Sequence, residues 1–232
     1  MKKSNKILLG GLLTIILILV AVHVALYARY KAGNYKAYTE KQTEEATNVK
    51  EFGNARQIDI RNLKNVIVRV GDRLRVEQFG EDANNIMLVE RGGAVQLSVK
   101  DSTNNEQVFD YVIVYIPENS LVTSYNSYLR VEGLQGQSIK GLNFSTSGGY
   151  LNFQQQKNMV QIDSLNVDAT NNATIELNNA RVEKLSVRLN GSELIDKQAV
   201  INRLNLNADS ASRINIQSKN LLKLTTNTTA YE

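Results

Sequence analysis

The segment from Leu165 to Leu177 reads LNVDATNNATIEL, and at Leu204 to Ile216 it returns as LNLNADSASRINI, with apolar letters kept and polar ones changed. Paired apolar positions recur at Leu142 and Phe144, Leu165 and Val167, Leu185 and Val187, Leu204 and Leu206, and Leu222 and Leu224, so units start 23, 20, 19 and 18 residues apart. After a small polar turn each unit carries a second apolar set: Leu151 and Phe153, Ile175 and Leu177, Leu194 and Ile195, Ile214 and Ile216, and finally Tyr231. A period near twenty built of short strands and turns predicts a β-solenoid, in which each coil buries its inward residues only by stacking on its neighbours. A sandwich of hairpins also has short strands, but hairpins need not keep so constant a step.

Asparagine crowds the turns, among them Asn143, Asn166, Asn171, Asn172, Asn178 and Asn205. Its side chain tolerates left-handed backbone, and stacked amides form ladders along a coil axis. The sequons NFS, NAT, NGS and NTT follow from that composition, and a structural role suffices for them.

Upstream of the repeat the apolar period is two. Ile58 and Ile60, Val66, Val68 and Val70, Leu74 and Val76, and Val95, Leu97 and Val99 each mark one face of a half-buried strand. Gly71-Asp72 and Gly92-Gly93 separate such runs where the chain must reverse. DYVIVYIP, from Asp110 to the only proline, Pro117, is apolar on both faces and predicts a strand covered on both sides.

Residues 7–27, ILLGGLLTIILILVAVHVALY, carry no charge apart from a protonatable His23 and are long enough to cross a bilayer as a helix. The run exceeds the apolar core of a signal peptide, and no small-x-small cleavage site closes it, so a retained transmembrane anchor is expected. Residues 1–6 then form a short cytoplasmic tail and 28–51 a juxtamembrane stalk, with Tyr27, Tyr30, Tyr35 and Tyr38 at the interface. Flanking charge is nearly balanced, and the large domain, 52–232, is expected outside the cytoplasm because long domains translocate largely regardless of it.

Formal net charge is +4, but six of the 27 basic residues flank the span. From residue 37 on, 21 basic residues face 23 acidic ones, and no basic cluster stands out along the chain, so nucleic acid is not an expected partner.

The order of Phe52, NVIVRV, LRVEQ, a Gly-Gly hairpin into VQLSV, VIVYIP and leucine-paired coils resembles the head GIN domain family, the "putative auto-transporter adhesins" of bacteria. TSGGY at Thr146 to Tyr150 and LNGSE at Leu189 to Glu193 resemble its glycine-bearing coil turns. The resemblance covers roughly Phe52 to Glu232 and implies an all-β, right-handed β-solenoid head on an envelope protein. It implies no catalytic residues.

Outside the span there is neither His nor Cys, which excludes Ser-His-Asp and Cys-His catalysis and His-ligated zinc within this chain. Solenoids also host carbohydrate-active enzymes that work with paired carboxylates, and Asp163, Asp168, Glu176, Glu183, Glu193, Asp196 and Asp209 are the available acids. Scattered outward acids more often solubilise, so no catalytic, cofactor-binding or metal-ligating set is expected. The leading expectation is a membrane-anchored, extracytoplasmic, adhesin-like binding or scaffold module whose partner is a glycan, an envelope protein or a second copy. The alternatives are a carbohydrate-active enzyme and an accessory subunit of an envelope signalling complex. The last coil, LLKLTTNTTAYE, lacks a cap, which predicts pairing at that end.

Overall fold

The computed structural model describes residues 11–15, 17–24, 46, 48–53, 55–80, 86–99, 111–133, 137–154, 159–221 and 224–226. The chain divides into two units, Met1–Glu44 and Glu45–Glu232. In the first, residues 11–15 and 17–24 are helical. No helix among the described residues is long and apolar enough to cross a membrane. The expected span reaches past them at both ends, and the stalk over 28–45 lies outside the described residues.

The second unit is nearly all β and contains a β-solenoid. Its repeat is a long strand, a tight corner and a short strand: β10 (Val160–Thr170) with β11 (Thr174–Leu177), β12 (Ala180–Asn190) with β13 (Glu193–Asp196), and β14 (Val200–Ala208) with β15 (Arg213–Asn215). In two preceding coils, β8 (Leu121–Glu132) and β9 (Ser138–Phe153), one uninterrupted strand supplies both sides. All these strands pair in parallel with the same register. Leu142, Leu165, Leu185 and Leu204 stand in one inward column, and Leu129, Leu151, Ile175 and Leu194 in another. These side chains are buried, each worth about 1.5–3 kcal/mol relative to exposure. Inward positions therefore stay aliphatic while outward ones vary, which is why the sequence repeats selectively.

The corners use left-handed backbone. Asn171 and Asn172 have φ of 56° and 61°, Gly148 and Gly149 of 68° and 77°, and Gly191 of 58°. Asparagine and glycine are the residues that adopt this conformation at least cost.

Stacking continues upstream of the sequence repeat. β2 (Gln57–Arg61) and β3 (Val66–Val70) form a coil against β8, placing Ile58 beside Val122 and Val66 beside Leu129. On their other side lie β6 (Ala94–Val99) and β7 (Val112–Ile116), again parallel. A coil early in the sequence is thus inserted between two later ones. The end of the stack is closed by antiparallel strands: β5 (Ile86–Arg91) on β6, then β4 (Leu74–Gln78) on β7 and β1 (Asn48–Phe52) on β4. Reversed strands cover an edge that would otherwise offer unpaired backbone groups.

β7 is covered on both faces as its sequence predicts: Val112, Val114 and Ile116 enter the main core, and Ile113 joins Ile67 and Phe79 in a second cluster. Gly92 and Gly93, both at positive φ, form the two-residue turn of the β5–β6 hairpin. The reversal at Gly71 skips a strand, because β3 and β4 both flank β7.

Three details differ from the sequence reading. β1 starts at Asn48, within the stretch assigned to the stalk, because its strand pairs with β4. Leu204 and Leu206 pair with Leu224 and Thr226 of β16 (Leu224–Thr226), not with Leu222 and Leu224. A one-turn helix, α1 (Ser218–Leu221), occupies the preceding residues and moves the register by two. In β13 the inward pair is Leu194 and Asp196, and Ile195 points outward beside Glu176. Tyr231 lies outside the described residues.

Candidate binding face

Strand alternation puts every second residue of the long strands outward, and the parallel register turns those residues into rows across the coils. One row runs Asn143, Asn166, Ser186, Asn205; the next runs Ser145, Asp168, Arg188, Asn207. Between them lies a hollow of about 520 Å³, bounded at one end by the exposed Leu121. Amides stack within the first row: Asn166 Nδ2 donates to Asn143 Oδ1 at 2.9 Å, and Asn143 Nδ2 donates to the Asn119 carbonyl at 3.2 Å. A further step joins Asn178 Nδ2 to Asn152 Oδ1 at 3.2 Å. On these coils amide-to-amide contact therefore comes as the single steps Asn166–Asn143 and Asn178–Asn152, each of which orients a side chain that presents donors and acceptors to solvent.

A third row on this face holds Ser164, Lys184 and Arg203, while Arg181 is outward on the short segment of β12 that precedes the bend at Glu183–Lys184. The linear sequence disperses the basic residues of this row, and only the coil register gathers them. The signal was present in the aligned positions of Lys184 and Arg203, each one residue before the leucine of its unit.

The seven acids separate into different roles. Asp163 and Glu183 are exposed at equivalent positions on neighbouring coils, and Glu183 accepts from Asn202. Asp168 faces the hollow just described. Glu193 lies with Arg213 beside a smaller hollow of about 300 Å³ near the corner at Gly191. Asp209 accepts the Gly191 N–H and the Ser212 hydroxyl, which together hold its carboxyl below the ordinary value, the Ser212 contact contributing most. Asp196 is 4% exposed and enters the core.

Glu176, 5% exposed, is the most enclosed on the outer side. It accepts from Lys197 Nζ at 2.8 Å, from Asn178 Nδ2 at 2.5 Å and from the Tyr150 hydroxyl. Burial disfavours its charge, but these three donors outweigh burial and hold the carboxyl below the usual carboxylate range. Burial, then the Glu176 contact, pushes the Tyr150 phenol up. Such mutual satisfaction locks three neighbouring coils together. Among the described residues no group of three or more His, Cys, Asp or Glu side chains is placed to hold a metal ion.

In fold the chain is similar to the crystal structure of a "putative adhesin" from Parabacteroides distasonis ATCC 8503, with a TM-score of 0.56 at 10% identity, covering 77% of this chain and 74% of that one. The likeness is one of fold alone. A "putative lipid binding protein" from the same strain matches with a TM-score of 0.50 at 11% identity, over 77% and 74% of the two chains. No family model matches the sequence, and no curated protein does.

Proposed function

We propose that this chain is an adhesin-like binding module, a right-handed solenoid of the head GIN type, held by a transmembrane helix over 7–27 with its large domain outside the cytoplasm in a bacterial envelope. The observation that carries the reading is the pair of in-register polar rows, Asn143 to Asn205 and Ser145 to Asn207, lining one hollow on the long-strand face. Rows of amides and hydroxyls repeat every ~4.8 Å along a stack of coils and suit an extended polar ligand better than a small one. The fold likeness to a protein described as an adhesin supports the same reading.

The anchor is supported by exposed Leu12, Ile15, Leu17, Ile18 and Val24 on the helical residues, an apolar surface that water disfavours. His23 Nδ1 donates to the Leu19 carbonyl at 2.9 Å, so this polar ring finds a partner within its own helix. Pairing with a second copy at the last coils is supported by Ile214, whose side chain is exposed there.

The test is retention of the full chain, held in detergent micelles, on a panel of immobilised polysaccharides, with reducing and unsaturated ends assayed in parallel. Retention without cleavage is expected. Release of new ends would transfer the protein to the carbohydrate-active enzymes.

A further inference from the structure

We infer that the C-terminal half of the long-strand face binds an acidic polysaccharide, through a cationic strip formed by Lys184, Arg188 and Arg203. This deepens the reading of the chain as a binding module and rests on it.

Lys184 of β12 and Arg203 of β14 are direct register partners on adjacent parallel strands, both outward and exposed. Their backbones are therefore only ~4.8 Å apart, and like charges so placed repel. None of the strip's three basic side chains forms an ion pair or hydrogen bond with another described residue. Several other charges on this unit are matched: Arg69 with Glu132 at 2.8 Å, Arg75 with Glu77 at 3.0 Å, Arg61 with Asp59 at 2.6 Å and Lys197 with Glu176 at 2.8 Å. Lys184 and Arg203 have no such partner, and an anion laid along the strip would relieve their mutual repulsion. Three acids lie near the strip. Glu183 is engaged by Asn202, whereas Asp168 and Asp163 face solvent, Asp168 in register with Arg188.

The strip points to a polymer. From Lys184 to Arg188 the strand runs roughly 13 Å, and the cations continue onto the next coil at Arg203, a spacing that a single small anion does not span. The neighbouring groups point to sugar. Asn166, Ser186 and Asn205 offer the paired donors and acceptors that hydroxyl-rich rings require, and guanidinium forks match carboxylates and sulfates. A single-stranded nucleic acid would call for aromatic stacking platforms, but the exposed Tyr125 stands at the corner of β8 and Tyr128 on its short-strand side.

The test uses the full chain in detergent micelles, with polygalacturonate and chondroitin sulfate as acidic probes, dextran as the neutral one and oligo-dT as the competing polyanion. Binding to an acidic glycan that weakens with salt, and a loss of at least tenfold in the Lys184→Gln/Arg203→Gln double variant, are expected. Because the variant removes a repulsion, its unfolding midpoint should equal or exceed the parent's, so lost binding is not lost folding. Equal binding by the variant, or preference for oligo-dT, overturns the inference. Binding of dextran but neither acidic glycan overturns it too while leaving the binding module intact; retention of no glycan removes both.

Discussion

Asp196 lies 2.6 Å from the side-chain nitrogen of Asn220, and this polar pair is buried where Phe153 and Leu177 fill the same inward column on preceding coils. The carboxylate also accepts from the backbone N–H groups of Ala199 at 2.9 Å and Gln217 at 3.3 Å, and Asn220 Oδ1 accepts from Ile201 N–H at 3.2 Å. The network ties α1 to β13 and β14, supplying specific hydrogen bonds where the aliphatic column ends.

Asp196→Ala should therefore cost about 2–3 kcal/mol, because it strands three donors away from water. Asn220→Ala should cost less, and the double variant less than the sum of the two, since both remove one shared contact. Urea unfolding of the four proteins measures the coupling; strict additivity would show that the two side chains act separately.

Glycine is demanded unequally at the corners. A Cβ on Gly149 would stand 2.2 Å from the Ser127 carbonyl oxygen and 2.6 Å from its nitrogen, with φ at +77°, whereas one on Gly191, at φ +58°, would meet nothing within 4 Å. Gly149→Ala should lose about 2–5 kcal/mol from backbone strain and collision together, and Gly191→Ala about 1 kcal/mol from φ alone. Thermal unfolding of the pair checks the ranking, and equal losses would refute the close approach of coils at Gly149.

Glu176 gives a pH signature. Its folded carboxyl is held below the usual range, so its ionised form contributes stability that is full above the unfolded value near 4.5 and is lost as pH falls through the lower folded value. Tyr150 acts oppositely: its raised phenol contributes stability that is present below about 10 and declines as alkali deprotonates it. Denaturant midpoints for the parent and Glu176→Gln should differ at pH 7 and converge on acidification. A gap that persisted at pH 2 would contradict the assigned ionisation.

Phe153 packs edge to face on Phe144, with ring centroids 5.7 Å apart, and is completely buried. Phe153→Ala should destabilise by about 3–5 kcal/mol, whereas Asn152→Ala on the outward side of the same strand should cost under about 1 kcal/mol. Equilibrium unfolding of both variants tests the assignment of inward and outward faces.

The coil period was legible because Leu142, Leu165, Leu185 and Leu204 must each fill the same inward column, and a stacked core tolerates little else. The first coils were not legible as coils. Ile58 and Val122 are direct register partners although 64 residues separate them, and the intervening capping strands leave no period to read. The swap of Ile195 for Asp196 at the inward position was hidden for a different reason: buried carboxylates are uncommon, and its partner Asn220 arrives from a helix outside the repeat. The polar rows were half visible, as asparagine abundance without a geometry. The cationic strip needed the register itself, since Lys184 and Arg203 are 19 residues apart in a chain whose folded part is nearly neutral.

The chain contains no cysteine, which makes single-cysteine footprinting the most direct test of where ligand sits. Asn166→Cys, Ser186→Cys and Asn205→Cys report on the long-strand face, and Thr174→Cys and Glu193→Cys on the short-strand side. With polygalacturonate bound to the full chain, thiol labelling should slow at the first three positions and remain unchanged at the other two. Protection on the short-strand side, or at none of the five, would contradict the assignment of the long-strand face as the binding surface.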